Sequence, residues 1–242
     1  MLRAFVLLAV WATLAIPVAL ITLPWTVLSR NASLLYRWSV AVGRIGLLAA
    51  GVRIRVRYEA PLPSGACLFL CNHASNLDPP LLAAVLLPRR VAMLVKQELL
   101  RMPLLGWAMQ LAGFVPVARS GSVEDAKRSL EQAAQVLHSG IDLAIFVEGT
   151  RSPDGRLLPF KKGPFFLAME CGAPVVPVTL IGTHARLPKG RRRLQRGVVE
   201  VVVHRPLDPA AYGNKDQLRT AVRQAIASAL PQESQTEPEL TA

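Results

Sequence analysis

The sequence predicts an α/β protein: a mostly parallel layered sheet with helices on both faces, preceded by a hydrophobic and amphipathic helical segment that associates with a membrane. Three observations predict it. From Gly51 onward, short apolar β-type runs alternate with helical periodicities, the pattern of strand–helix–strand units. Residues 4–28 carry no charge, and about 20 apolar residues suffice to cross a bilayer as a helix. The 242 residues are 52% hydrophobic and 18% charged, which excludes global disorder and fits one domain with an appendage.

Residues 1–50 read as the membrane-associating part. Arg3 followed by an apolar run also suits a cleaved signal peptide, but the run exceeds the usual length of about 7–15 residues and no A-x-A site occurs in residues 1–30. Pro17 and Pro24 should kink the helix, so a bent or re-entrant insertion and a straight span both fit. In residues 31–50 the helix periodicity continues, with Arg30, Arg37 and Arg44 spaced by seven. That spacing keeps the arginines on one face, where lipid headgroups would meet them. Trp11, Trp25 and Trp38 fall where interfacial anchors belong.

Residues 51–231 read as the α/β domain. Residues 52–58 alternate strictly, as a half-exposed strand does, and residues 66–71 are continuously apolar, as a buried strand is. Helices are expected at 79–87, 99–111, 122–139, 164–171 and 214–230, and strands at 91–95, 114–118, 143–147, 175–181 and 198–203. Ser122 and Asp125 fit an N-terminal capping box, and Gly140 and Gly172 suit helix ends. The polar, acidic tail at 232–242 is expected to be disordered.

The chain is both apolar (mean hydropathy +0.34) and basic, with 28 Lys and Arg against 16 Asp and Glu. That combination suggests anionic partners: lipid headgroups, nucleic acid or phosphorylated substrates. Aromatics at 6% are sparse for stacking on single-stranded bases. Three cysteines make no disulfide framework, and no spacing matches a zinc site.

The chemistry-bearing residues follow strand ends, where open α/β sheets place their ligands. His73 lies just past the strand at 66–71, and Asp78 precedes Pro79 and Pro80. Asp78 therefore reads as a helix N-cap. Folded back, the loop lets its second oxygen hold the His73 ring and leave the other ring nitrogen as a proton acceptor. Glu148, Gly149, Thr150 and Arg151 follow the strand at 143–147. Gly149 permits a tight turn, and Arg151 offers a planar fork for phosphate. Arg119 follows the strand at 114–118.

Each feature alone has an ordinary structural explanation: a cap, a loop histidine, a surface ion pair. Together they resemble the glycerolipid acyltransferases. His73 and Asp78 match that family's N-H-x-x-x-x-D signature, and residues 148–151 match its E-G-T-R signature. Residues 113–119 resemble the block ending in arginine, and 175–178 the V-P-V strand. Lys96, Glu98 and Leu99 with Pro103 and Gly106, and Phe160 to Gly163, resemble further blocks in the same order. Val147 stands where the family usually has proline.

The resemblance implies acyl transfer from acyl-CoA or acyl carrier protein to the sn-2 hydroxyl of 1-acylglycerol-3-phosphate (lysophosphatidic acid), giving phosphatidic acid. His73 would be the general base and Asp78 its orienting carboxylate. Arg119 and Arg151 would hold the phosphate, with Glu148, Gly149 and Thr150 shaping that pocket. No acyl-enzyme, metal or resident cofactor is implied. Membrane lipids are the expected partners, at the cytoplasmic face of the inner membrane. The alternative within the family is another lyso-lipid acceptor, such as lyso-ornithine lipid or another lysophospholipid. The run from Arg186 to Arg196 could rest on anionic lipid or bind the acyl donor. No nucleic-acid motif is present, so nucleic acid is not an expected partner.

Overall fold

The structure is a computed structural model, and it describes residues 2–117 and 122–235. The chain begins with α1 (Leu2–Ser29) and α2 (Ser33–Ala49). The first half of the domain comprises β1 (Val52–Tyr58), β2 (Leu68–Cys71), α3 (Asp78–Leu86), β3 (Val91–Lys96), α4 (Gln97–Leu100), α5 (Leu105–Leu111) and β4 (Val115–Val117). The second half comprises α6 (Val123–His138), β5 (Asp142–Phe146), α7 (Gly163–Cys171), β6 (Val175–Ile181), α8 (Thr183–Arg186), β7 (Gly197–Val203), α9 (Lys215–Ser228) and α10 (Gln232–Gln235).

The strands form one seven-stranded sheet in the order β1-β7-β6-β2-β5-β3-β4. All neighbours are parallel except β6 and β7. Five strands therefore deliver their carboxyl ends to one rim, while β1 and β7 run the opposite way. This is the mostly parallel, double-faced sheet that the alternating pattern predicted.

The strand period of two sorts the core. Phe69 and Cys71 face Tyr36 and Val40 of α2 and Leu82 and Leu86 of α3. Leu68 and Leu70 face Leu137 of α6, Phe165 of α7 and Leu218 and Val222 of α9. Burying a side chain of this size stabilises by roughly 1.5–3 kcal/mol, so both helical layers are firmly held. The caps form as the sequence indicates. Ser122 Oγ accepts from the Asp125 amide at 3.0 Å, and Gly140 follows α6 at φ +81°.

Two expectations are corrected. Residues 99–111 do not make one helix: the chain breaks between α4 and α5, where Pro103 has no amide hydrogen to give and Leu104 takes a left-handed φ of +59°. The tail expected to be disordered starts with the helical turn α10, whose Ser234 carbonyl accepts from the Leu157 amide; residues 236–242 lie outside the described residues.

The first two helices are antiparallel. Arg3 donates to the Ala50 carbonyl at one end, and the Trp11 indole to the Gly43 carbonyl further along. Gly46 makes the close approach possible, since a Cβ there would overlap Trp11. Leu7 continues the contact into the domain, packing with Leu47, Leu77, Leu81 and Leu194. The helix stays continuous through Pro17 and Pro24. Its hydroxyls at Thr13, Thr22, Thr26 and Ser29 all donate to the carbonyl four residues back. None of these four hydroxyls needs water, as suits a helix in an apolar medium. Phe5, Leu8, Ile16, Leu20 and Trp25 remain exposed, and the helix is long and apolar enough to cross a membrane.

Candidate active site

The site grows from the ends of β2 and β5, adjacent in register through Cys71 and Phe146. Two residues past each lie His73 and Glu148. Asn72 holds the first end in place. Its side chain mimics a backbone unit, donating to the Leu180 carbonyl at 3.0 Å and accepting from the Leu180 amide at 2.8 Å. The chain of β2 is thereby tied to β6 one residue before His73.

Asp78 opens α3, but it does not cap that helix as the sequence suggested. Pro79 and Pro80 bring no amide hydrogen to its first turn, and the Leu81 amide is spent on the Leu77 carbonyl, so no forward donor is left for the carboxylate. It turns back instead. Asp78 Oδ2 accepts from the amides of Ala74 and Ser75 at 2.7 Å each and meets His73 Nδ1 at 2.7 Å. Asp78 is 0% exposed, while the His73 side chain retains 17%. A carboxylate against Nδ1 puts the ring proton there and leaves Nε2 as the lone-pair nitrogen. The ring lies on Phe146, with centroids 4.1 Å apart and planes 20° from parallel. The imidazole is fixed in tautomer and in plane.

Glu148, expected to shape the phosphate pocket, is tied to the backbone of the His73 loop. It is buried, and it spends one oxygen on the His73 amide (2.9 Å) and the other on the Leu158 amide (3.2 Å). Burial pushes its carboxyl up to about 8, although the two amides pull the other way. Its role in the geometry is to brace the backbone of His73. Gly149 turns the chain at φ +69°, a conformation that L side chains rarely adopt, and the Lys161 stem covers it. Val147, which stands where the family usually has proline, donates its amide to the Cys71 carbonyl at 3.0 Å. Proline would lose that bond.

Beyond Gly149 the chain returns to the same loop. The Ser152 amide donates to the His73 carbonyl at 2.7 Å, which sets Arg151 one residue from that contact. Arg151 is half-buried, and Thr150 is exposed. Arg119 lies outside the described residues.

One participant was visible in the sequence only as part of a basic run. The segment after β6 folds over the rim as a strap. Ser75 Oγ donates to the Leu187 carbonyl at 2.8 Å, and Lys189 Nζ donates to the Arg151 carbonyl at 3.0 Å, with Thr150 Oγ1 at 3.4 Å. The strap thus joins the His73 loop to the Arg151 loop and adds an ammonium beside it. No local pattern marks Lys189, because its contact spans 38 residues.

Taken together, these groups can accept a proton at His73 Nε2, stabilise the resulting imidazolium through Asp78, and attract an anion with Arg151 and Lys189. Known proteins are similar to this chain. The family model described as Acyltransferase matches residues 53–181. A 1-acyl-sn-glycerol-3-phosphate acyltransferase of Chlamydomonas reinhardtii is 38% identical over 75% of this chain and 54% of its own length. One from Pseudomonas aeruginosa is 30% identical over 80% of this chain and 73% of its own. The crystal structure of the 1-acyl-sn-glycerophosphate acyltransferase PlsC from Thermotoga maritima superposes with a TM-score of 0.78 at 26% identity, covering 93% of both chains. The chain spans about half the length of the algal and chloroplast relatives it matches. With the matched segment holding the His73–Asp78 pair, the Glu148–Arg151 turn and the strands that position them, the chain belongs to the acyltransferase family.

Proposed function

We propose that this protein transfers a fatty acyl group from a thioester, acyl-CoA or acyl carrier protein, to the sn-2 hydroxyl of 1-acylglycerol-3-phosphate, yielding phosphatidic acid for phospholipid synthesis. The observation that carries the proposal is the 2.7 Å contact between His73 Nδ1 and buried Asp78 on the rim where Arg151 and Lys189 meet. His73 Nε2 takes the hydroxyl proton as the oxygen attacks the thioester carbonyl. The tetrahedral intermediate collapses, the C–S bond breaks, and the imidazolium returns the proton to the leaving thiolate. Asp78 favours the charged ring at both stages. Arg151 and Lys189, together with Arg119 as the family resemblance implies, hold the phosphate and so fix the hydroxyl against the base. No side-chain nucleophile is needed, because a base-activated alcohol attacks a thioester directly.

The relatives named as 1-acyl-sn-glycerol-3-phosphate acyltransferases support this acceptor. Acyl-CoA and acyl carrier protein are cytoplasmic molecules, which supports a rim at the cytoplasmic face of the inner membrane. The exposed apolar face of α1 lets the enzyme take a water-insoluble acceptor from the bilayer.

The test is acylation with labelled acyl-CoA, comparing lysophosphatidic acid with a monoacylglycerol that lacks phosphate. His73→Ala should lower kcat by about 10²–10⁴-fold with both. Arg151→Ala and Lys189→Ala should lower kcat/KM for the phosphate-bearing acceptor alone. Near-normal turnover by His73→Ala would refute the base, and equal losses with both acceptors would refute the phosphate grip.

A further inference from the structure

Outside the site, the segment after β3 has an inverted surface. Leu104, Trp107 and Leu111 stand at i, i+3 and i+7, the spacing of one helical stripe. In a water-soluble helix that stripe turns inward. Here it turns outward: Leu104, Leu111 and the neighbouring Met102 and Leu105 are exposed, and Trp107 is 63% exposed. The opposite side is already satisfied. Gly106 sits so tightly on the Leu100 backbone that a Cβ would overlap it, Gln110 donates to the Leu100 carbonyl, and Ala112 lies in the core. Rotating α5 to hide the stripe would break all three contacts.

What covers the stripe follows from its neighbour. α5 packs against α1, the helix whose own outer side is apolar and exposed. The two apolar surfaces therefore lie on neighbouring helices. Lys96 just before the segment and Arg101 within it are exposed, with Glu98 between them, so cations outnumber acids beside the apolar stripe, as suits a contact with anionic headgroups. We propose that the α4–α5 segment is a second membrane-binding element, entering the lipid interface beside α1 with Trp107 as its anchor. The bilayer then touches the domain itself as well as its amino-terminal helices. Since β3 delivers α4 to the catalytic rim, this contact holds the rim against the surface that supplies the acceptor. That consequence rests on the proposed function, while the binding does not.

The full-length protein, with Trp11, Trp25 and Trp38 replaced by phenylalanine, leaves Trp107 as the single tryptophan, excited selectively at its long-wavelength edge. Added to phosphatidylcholine–phosphatidylglycerol vesicles, it should shift to shorter wavelength, and lipids brominated along the acyl chain should quench it. Trp107→Ser with Leu111→Ser should weaken vesicle partitioning about tenfold. Turnover of the double variant should fall on vesicles and hold with a monodisperse short-chain acceptor. An unshifted, unquenched Trp107 on vesicles that bind the protein would overturn the proposal. So would an equal loss with the short-chain acceptor, which would make the stripe part of an acyl pocket, or a dimer in detergent that the double variant dissociates. If the spectroscopy succeeds while neither acceptor is acylated, the proposed function fails and the membrane contact stands.

Discussion

Asp78 occupies the first turn of α3, where a carboxylate ordinarily accepts from the amides ahead of it. Two prolines and the Leu77 carbonyl, which takes the Leu81 amide, leave it none, and one oxygen instead collects His73, Ala74 and Ser75. Its other oxygen, Oδ1, is buried and has no hydrogen-bond partner. Asparagine could keep its carbonyl toward the two amides and the ring, so the loop would hold, but the negative charge that stabilises the imidazolium would be gone. Asp78→Asn should therefore lower kcat by about 10²–10⁴-fold with little change in acceptor KM, as measured by steady-state kinetics. Glu148 makes a different prediction. Its folded carboxyl is raised to about 8 from an ordinary 4.5, so between those values the folded state holds a proton that the unfolded chain releases. The contribution to stability is complete below pH 4.5 and is lost as pH rises through about 8, on the order of a few kcal/mol. Thermal unfolding should show Tm falling from pH 6 to pH 8. Glu148→Gln should lack that fall, and identical slopes would mean that Glu148 does not titrate there.

At the scale of elements, α1 depends on a glycine for its place. Gly46 meets the Trp11 indole, whereas a Cβ at Gly43 would meet nothing within 4 Å. Gly46→Val should undock α1 and cost about 1–3 kcal/mol, while Gly43→Ala should stabilise by up to about 1 kcal/mol through helix propensity. Unfolding in detergent distinguishes the two, and equal effects would show that α1 does not rest on α2. The sequence made some elements legible and hid others for physical reasons. His73 and Asp78 could be paired in advance because five residues and two prolines place them locally. The sheet could be inferred because buried parallel strands are apolar on both faces. The partners of Glu148, the amides of His73 and Leu158, were hidden because they depend on the register of β2 against β5. The outward stripe of α5 was unreadable because periodicity shows that a helix has a face, not which way the face turns. The helix break was available in Pro103 but was overridden by the apolar run around it.

For the whole molecule, the net charge of +12 matters through where it is displayed. The strap between β6 and β7 is anchored at its base, with the Gln195 amide on the Arg186 carbonyl and the Arg186 guanidinium on the Arg196 carbonyl. Its tip, Arg191, Arg192 and Arg193, is exposed. Arg196 touches Gly51, next to the junction of α2 with β1. The tip therefore projects near the base of the two apolar helices, where anionic headgroups would lie. Each arginine near such a surface contributes about 1 kcal/mol at low ionic strength, and the attraction decays over about 10 Å at 0.1 M salt. Raising salt from about 0.05 to about 0.5 M should release the protein several-fold from anionic vesicles and hardly from neutral ones. Replacing the three tip arginines with alanine should remove most of that salt dependence. If the triple variant keeps its vesicle binding and instead shows a raised KM for acyl-CoA in neutral detergent, the tip serves the phosphates of the donor. The strap would then close the site from the donor side, and the apolar helices alone would hold the enzyme to lipid.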